Sequence, residues 1–295
     1  MRHMSEQPRT VQIPIRGGRI EAFRLPVAAS ASGTPLLVLG GVETGLRPLA
    51  GTEQILAGRW EARAARRPVV VLGRPLPNDP SSVHQAMHPR VIADAVATAI
   101  EWLAQNGGPQ PPYAIEAESG GGRISLWLTI DHPELVARLV LASVASETPP
   151  ESAMAARMEQ WIEMAERGDW GMFFSHMAVV MRPASGGEAP SFEAAARLQP
   201  RPATPERFIG ELKATLDPSS FVTNRLGEIA VPALVLAGGL DQVVPPTATR
   251  LVAERIPGAR LEIDPDCGHT VRSSLSGYHD LVEAFLAEGD AGRRH

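Results

Sequence analysis

The sequence predicts an α/β protein with a mostly parallel β-sheet and an all-helical segment inserted late in that sheet. Short, uninterrupted apolar runs alternate with segments of helical periodicity over 9–147 and again over 228–288. Such runs are typical of strands buried on both faces of a parallel sheet. Over 148–227 the strand pattern stops and only helical stripes remain. We therefore predict a sheet core in two parts, 9–147 and 228–288, with a helical cap, 148–227, inserted between them.

The first strands are marked by alternation and by apolar runs. Val11–Ile15 and Arg19–Leu25 alternate on either side of a glycine pair, which predicts a β-hairpin. Pro14 places the first arm of this hairpin at a sheet edge, because proline cannot donate to a strand ladder. Pro35–Leu39 and Pro68–Leu72 are continuous apolar runs, and we interpret both as buried parallel strands.

The centre of the core follows as a helix, a strand, a helix and a strand. Residues 89–106 carry apolar pairs every four residues, which predicts a helix that Gly107-Gly108 ends. A strand begins at Tyr113, the helix after it runs to about Asp131, and Val136–Val144 is the next strand. This alternation favours a doubly wound parallel sheet.

Two apolar stripes and one helix start predict the cap. Residues 154–165 and 170–181 each carry a stripe rich in methionine and aromatic residues, and 183–190 is a predicted loop. Thr204-Pro205-Glu206 combines an N-cap, a proline at the first helical position and an acidic first turn. This combination predicts that a helix begins there.

The sheet pattern resumes after the cap. Val231–Ala237 and Ala259–Ile263 are predicted strands, with a helix over 245–256 between them and a last helix after the second strand. The polar ends, 1–8 and 289–295, are expected to be flexible.

One serine lies at the tip of a sharp turn between the Tyr113 strand and the helix after it. In Ala117-Glu118-Ser119-Gly120-Gly121 the residues two before, one after and two after the serine are small. Small neighbours let the strand and the helix approach closely, and the helix N-terminus points free N–H groups at whatever the serine attacks. Ser119 could instead only cap the helix, but the strand–turn–helix context favours a nucleophile.

An attacking serine needs a base, and the base needs a third group that holds its tautomer. Asp241 follows the predicted strand Val231–Ala237, and His269 follows Ala259–Ile263. Both therefore reach the carboxyl edge of the sheet, where ligands bind in open α/β folds. We expect His269 to take the proton and Asp241 to orient it. Glu147, which follows an earlier strand, is the alternative acid.

These motifs together resemble the lid-bearing α/β-hydrolase family. The resemblance is carried by the small-x-Ser-x-small elbow, by Gly238–Pro246 with its aspartate, and by Gly268-His269, and it covers roughly residues 33–288. It implies an α/β-hydrolase fold. It also assigns three roles: nucleophile to Ser119, triad acid to Asp241 and base to His269.

The resemblance further implies two main-chain N–H donors that hold the oxyanion. One is Gly120, the residue after the nucleophile. The other comes from the loop after Pro35–Leu39 and is either Gly41 or Val42. The family commonly has His-Gly in this loop, and Gly40 stands in place of that histidine.

Six further residues are candidates for substrate contacts. They are Glu43, Arg74 and Glu118 near the mouth of the site, and Trp161, Phe173 and Met177 in the cap. A methionine-rich cap suits varied apolar groups, and Glu43 and Glu118 would repel a carboxylate unless Arg74 faces inward. We therefore expect neutral medium-chain esters to outperform acetate esters and anionic monoesters.

Composition limits the other possibilities. The net charge of −5 and the absence of a basic stripe argue against nucleic acid as a partner. The single cysteine suits a reducing compartment, no apolar run reaches the roughly 18 residues of a membrane span, and residues 1–8 lack the apolar segment of a secretory signal. We expect a cytoplasmic protein without metal or cofactor. Its oligomeric state stays open between monomer and homodimer.

The sequence thus predicts a serine hydrolase that cleaves a carboxylic ester or lactone of a small, largely apolar substrate through an acyl-enzyme. The same triad serves amide or aminopeptide, thioester and carbon–carbon bond hydrolysis, acyl transfer and cofactor-free perhydrolysis, and all of these stay open. A small-molecule binding protein of low turnover is the alternative from another class.

Overall fold

The computed structural model describes residues 8–26, 28, 31–181 and 202–291. Nine strands form one sheet: β1 (Arg9–Ile15), β2 (Gly18–Arg24), β3 (Leu36–Leu39), β4 (Val69–Leu72), β5 (Leu76–Pro77), β6 (Tyr113–Glu118), β7 (Val136–Ala142), β8 (Ala233–Gly238) and β9 (Arg260–Asp264). Their order is β1-β2-β4-β3-β6-β7-β8-β9, and β5 pairs with β2. The pairs made by β2 are antiparallel and all others are parallel, as the continuous apolar runs predict.

Ten α-helices connect and cover the strands within the described residues. They are α1 (Glu53–Ala64), α2 (Val83–Ala86), α3 (Pro89–Gln105), α4 (Gly120–Asp131), α5 (Ala153–Glu166), α6 (Trp170–Val180), α7 (Pro205–Leu216), α8 (Pro246–Arg255), α9 (Val271–Ser274) and α10 (Tyr278–Ala291). The helices α5, α6 and α7, between β7 and β8, are called the helical insert below. No helix of the described part has the length and apolar character needed to cross a membrane.

The core lies on both faces of the sheet. One apolar cluster packs beneath α3, α4 and α8, and another packs beneath α1 and α10. A third cluster joins the helical insert to the sheet, because Phe173 and Phe208 of the insert pack with Ala145, Val243 and Val244 from the loops after β7 and β8. The insert is thereby fixed at the carboxyl edge of the parallel strands.

Several local features differ from the sequence predictions. Helix α1 was not predicted, and only Trp60, Arg63 and Ala64 of it are buried. The hydroxyl of Thr204 does not cap α7; it donates to Gly45 O over 2.7 Å. These exceptions arise from tertiary packing, which local patterns do not encode.

Some predictions fall outside the described residues. The predicted loop 183–190 lies there entirely, as do most of the predicted flexible ends, 1–8 and 289–295. Residues 289–291 continue α10.

Candidate active site

The turn between β6 and α4 holds Ser119 in a backbone conformation that few side chains adopt. Its φ is 53° and its ψ is −122°, the strained geometry of a serine lifted from a strand end. Its N–H donates to Ala142 O of β7 over 3.0 Å, and its own carbonyl accepts from Gly122 N over 2.9 Å. These bonds fix the turn between the neighbouring strand and the new helix.

Gly121, two residues after the serine, is required by a close backbone approach. A Cβ on Gly121 would lie 2.2 Å from Leu39 O and 2.4 Å from Gly40 O, both main-chain atoms of β3 and its following loop. The elbow therefore lies directly against residues 40–46, the loop that was predicted to supply an oxyanion donor and is called the oxyanion loop below.

The three predicted triad side chains meet at the carboxyl edge of the sheet. His269 Nε2 lies 3.1 Å from Ser119 Oγ, and His269 Nδ1 lies 2.8 Å from Asp241 Oδ2. The other carboxylate oxygen of Asp241 accepts from the main-chain N–H groups of Val243 and Val244 at 2.8 and 2.9 Å. Asp241, rather than Glu147, thus occupies the position that orients the imidazole. This hydrogen-bonded order is the one that nucleophilic catalysis by serine requires.

The protonation of His269 depends on several neighbours. The residue is only 2% exposed. Burial alone would lower the pKa of its imidazole, but the hydrogen bond and charge of Asp241, with smaller contributions from Glu118 and Glu43, outweigh it and raise the pKa above 6.5. A histidine in this state accepts a proton readily from a nearby hydroxyl.

Two of the residues predicted to supply main-chain N–H donors, Gly120 and Val42, line the same cavity as Ser119. Gly120 begins α4, and Val42 begins the 3₁₀ turn Val42–Leu46. A Cβ built on Gly120 would lie 3.3 Å from Val42 N, so the two donors lie close together. Of the two predicted choices in this loop, Val42 rather than Gly41 is adjacent to the elbow.

A small apolar cavity opens beside Ser119. Its volume is about 30 Å³, and its walls come from Met154, Met158 and Trp161 of α5 and from Val243 and Val244. One water needs about 10–15 Å³ by this measure, so the cavity holds roughly two or three non-hydrogen atoms. A larger surface cavity of about 580 Å³ contains none of the triad residues.

Arg123 of α4 is the charged residue of this cavity. Its guanidinium donates to Ala145 O and Thr215 O at 3.2 and 2.8 Å, and to the hydroxyls of Thr148 and Ser220 at 2.8 and 3.2 Å. Burial lowers the pKa of this side chain to about 10. These bonds connect α4 to the last turn of α7.

Among the residues predicted to contact substrate, the structure places only Trp161 at the cavity wall. Phe173 is completely buried in an aromatic cluster, 6.0 Å from Trp161 between ring centroids. Met177 is half-buried and packs against the same cluster. Met154 and Met158, which the sequence places on the same apolar stripe as Trp161, also line the cavity but were not among the predicted substrate contacts.

Glu43 and Glu118 lie on the opposite side of the oxyanion loop, at a second cavity of about 130 Å³. Although Glu43 is exposed as a whole residue, its carboxylate faces this cavity, where desolvation and then the charge of Glu118 raise its pKa. Neither residue lines the cavity beside Ser119.

Arg74 is completely buried behind the oxyanion loop. Its Nε lies 2.7 Å from Glu211 Oε2 of α7, a residue that the sequence analysis missed. An acidic residue on an amphipathic helix is normally solvated, so no signal in the sequence marks Glu211 as a buried partner.

A buried polar cluster lies under the elbow. Glu116, on β6, is 0% exposed and accepts from Tyr278 Oη over 2.9 Å. Arg272 and Arg63 bring guanidinium nitrogens to 3.3 and 3.5 Å from its two oxygens. This carboxylate is therefore compensated by two cations and a hydroxyl.

The fold is that of the α/β hydrolases. The chain belongs to the alpha/beta hydrolase fold family, whose sequence profile matches residues 74–271, a range that includes all three predicted triad residues. The predicted fold class and family resemblance are confirmed. In the described part of the chain no group of three or more His, Cys, Asp or Glu side chains has the arrangement of a metal site.

Two characterised relatives are hydrolases by name. The chain is 30% identical over 183 residues to the 2-hydroxymuconate semialdehyde hydrolase of Pseudomonas putida, which covers 60% of this chain and 63% of that protein. It is 28% identical over 214 residues to the pimeloyl-[acyl-carrier protein] methyl ester esterase of Neisseria meningitidis, which covers 66% of this chain and 62% of that protein. The matched region thus spans less than two thirds of either relative.

Solved structures share the fold over nearly the whole chain. Est816, described as an N-acyl homoserine lactone degrading enzyme, superposes with a TM-score of 0.66 at 22% identity and covers 93% of this chain and 100% of that one. The esterase EaEST from Exiguobacterium antarcticum superposes with a TM-score of 0.69 at 16% identity and covers 96% and 99%. At these identities the likeness concerns the fold alone.

Proposed function

We propose that this protein is a serine hydrolase that cleaves a carboxylic ester or lactone with a small, apolar acyl group, and that the helical insert acts as its cap. The observation that carries the proposal is the hydrogen-bonded order from Ser119 through His269 to Asp241 at a strained elbow. The choice of an ester is supported by the relative from Neisseria meningitidis, whose name specifies a methyl ester esterase, and the lactone is retained from the sequence prediction.

In the proposed reaction Ser119 Oγ forms a bond to the carbonyl carbon while its proton passes to His269 Nε2. The carbonyl oxygen becomes an oxyanion, which accepts from the N–H groups of Val42 and Gly120. Collapse of this intermediate breaks the bond to the alcohol, and the leaving oxygen takes the proton from His269. Water then attacks the acyl-enzyme by the same steps, and Asp241 stabilises the imidazolium in both halves.

The proposed acyl group is short, which revises our expectation of medium-chain esters. The cavity of about 30 Å³ beside Ser119 suits an acetyl or propionyl group, which fits there without any movement of the residues that line it. Anionic monoesters stay disfavoured, since Arg74 is already paired with Glu211 and the guanidinium of Arg123 already donates to four protein oxygens.

The decisive test of the proposed activity is covalent labelling by a fluorophosphonate, followed by intact mass and peptide mapping. We expect one adduct, located on Ser119, and loss of ester hydrolysis by at least about 10³-fold in Ser119→Ala. Folded protein that is neither labelled nor hydrolytic would favour a binding protein on this fold.

The proposed acyl preference is tested with a matched series of acetyl, butyryl and octanoyl esters. We expect kcat/KM to fall with chain length in the wild type. Met158→Ala should enlarge the cavity and raise kcat/KM for butyryl esters relative to acetyl, whereas Met172→Ala, at an exposed position of α6, should change neither. An unmodified protein that prefers octanoyl would reject the short-acyl assignment while leaving the triad assignment standing.

A further inference from the structure

The oxyanion loop is attached directly to helix α7 of the insert. Thr204, just before α7, donates its hydroxyl to Gly45 O over 2.7 Å and its N–H to Leu46 O over 3.1 Å. A Cβ on Gly45 would lie 3.2 Å from Phe208 N, so the loop and the first turn of α7 are in backbone contact. The 3₁₀ turn that presents Val42 N–H is therefore held from the side of the insert.

Arg74 connects the same loop to the same helix from below. One hydrogen of its Nη2 is shared between Gly40 O at 2.9 Å and Gly41 O at 3.0 Å, the carbonyls of the two residues that precede Val42. Its Nε and the other hydrogen of Nη2 donate to the two carboxylate oxygens of Glu211 at 2.7 and 2.8 Å, a bidentate pair. Its main-chain carbonyl accepts from Arg207 Nη1 over 3.0 Å, one turn before Glu211 on α7.

The Arg74–Glu211 ion pair lies next to the elbow, where an unbalanced charge would affect the proposed reaction. Glu211 Oε1 lies 3.0 Å from the position that a Cβ on Gly120 would occupy, next to one proposed oxyanion donor. An unpaired carboxylate there would oppose a developing negative charge on the substrate. The guanidinium of Arg74, which is 0% exposed, neutralises that carboxylate within the buried site.

We infer that Arg74 and Glu211 are positioning residues that hold the Gly40-Gly41 peptides so that Val42 N–H meets the oxyanion, and that this couples α7 to the oxyanion hole. This inference rests on the proposed function. Arg74 anchors the loop at Gly40, the position where the family commonly has a histidine. Neither side chain touches the reacting atoms, so both act through the main chain of the loop.

The inference is tested by kinetics on Arg74→Met, Glu211→Gln and the double variant Arg74→Met/Glu211→Met. In the two single variants we expect kcat to fall about 10²-fold with KM changed little, because the affected contact strengthens only in the transition state. Affinity for a trifluoromethyl ketone, which forms an oxyanion adduct with serine, should fall with kcat, whereas affinity for the neutral alcohol product should not. Lys213→Met, which removes an exposed ion pair of α7, is the matched control and should leave kcat unchanged.

The double variant separates positioning from stability. Replacement of a buried ion pair by apolar side chains of similar volume is often neutral for folding. We therefore expect the double variant to melt near the wild-type temperature and still to lose about 10²-fold in kcat. Recovery of kcat together with the melting temperature would overturn the inference, as would single variants with kcat within about threefold of the wild type.

The rate of fluorophosphonate labelling distinguishes this inference from the proposed function. A wild-type protein without any label at Ser119 would reject the proposed function itself. A labelled wild type with variants that react at the same rate would reject only the positioning role of Arg74 and Glu211. Slower labelling of the folded variants, with Lys213→Met unaffected, is the expected result.

Discussion

Gly121→Ala is the substitution that tests most directly how the elbow and the oxyanion loop fit together. A single methyl group at this position would lie 2.2 Å from Leu39 O, 2.4 Å from Gly40 O and 2.7 Å from Leu39 C. All three are main-chain atoms, so no side chain can rotate away to make room. The new methyl group can be accommodated only if α4 or the end of β3 moves.

The size of that movement sets the expected effects. Favourable carbon contacts lie at about 3.5 Å, so the two backbones must separate by about 1 Å. Overpacking of this kind costs about 1–3 kcal/mol, and we expect the upper end because the neighbours are main chain. A misplacement of about 1 Å between reacting groups also lowers kcat by about 10²-fold. The loss of activity should thus exceed what partial unfolding explains.

The assay combines urea unfolding with kcat measured on an acetyl ester, well below the unfolding midpoint. Gly58→Ala is the matched control, because Gly58 lies within α1, is exposed and has no atom within 4 Å of a new Cβ. It should gain about 0.5–1 kcal/mol from helix propensity and keep its full kcat. If Gly121→Ala unfolds with the wild-type midpoint and retains kcat, the close approach described for the elbow does not constrain catalysis.

Three further predictions address protonation, the triad acid and the buried cluster. Because the pKa of His269 is raised and the base must be neutral, kcat/KM should fall as pH falls through a midpoint above 6.5. Glu118→Gln should lower that midpoint, because it removes a negative charge that raises the pKa of the imidazole. An unchanged midpoint would show that the charge of Glu118 does not influence His269. Asp241→Asn should lower kcat by about 10⁴-fold with little change in melting temperature, since an amide oxygen still accepts from Val243 N–H; full activity would instead move the acid to Glu147. Tyr278→Phe removes one partner of buried Glu116 and should cost about 1–3 kcal/mol in urea unfolding, whereas a neutral effect would mean that the arginines suffice.

The sheet and the triad geometry follow from local patterns in the sequence. Strands such as Val69–Leu72 are buried on both faces of the sheet, so all of their side chains are apolar. Such a continuous apolar run is easily recognised as a strand of a parallel sheet. Ser119, Asp241 and His269 each follow a predicted strand, and parallel strands end at one edge. Chain order and strand position were therefore enough to predict that the three side chains lie close together, although their catalytic roles stay proposals.

Features that depend on distant packing could not be predicted in this way. Arg74 and Glu211 are 137 residues apart in sequence, and each residue type is usually solvated, so nothing local marks them as a buried pair. Helix α1 lacks a broad apolar stripe because few of its side chains meet the sheet. The size of the cavity beside Ser119 depends on how closely α5 packs, which composition does not determine.

The two helices that border the candidate active site, α5 and α7, are attached to it unequally, and this determines which substitutions can change specificity. Helix α7 is bonded to the oxyanion loop through Thr204 and to Arg74 through Glu211. Helix α5 reaches the site with the apolar side chains of Met154 and Met158 and, in the described ranges, neither forms a hydrogen bond to that loop. Sequence variation in α5 can reshape the acyl cavity while the hydrogen bonds of the loop stay intact. In a randomised library, substitutions confined to inward-facing positions of α5 would sample new acyl groups on an unaltered reaction centre, whereas changes in α7 would disturb substrate choice and rate together.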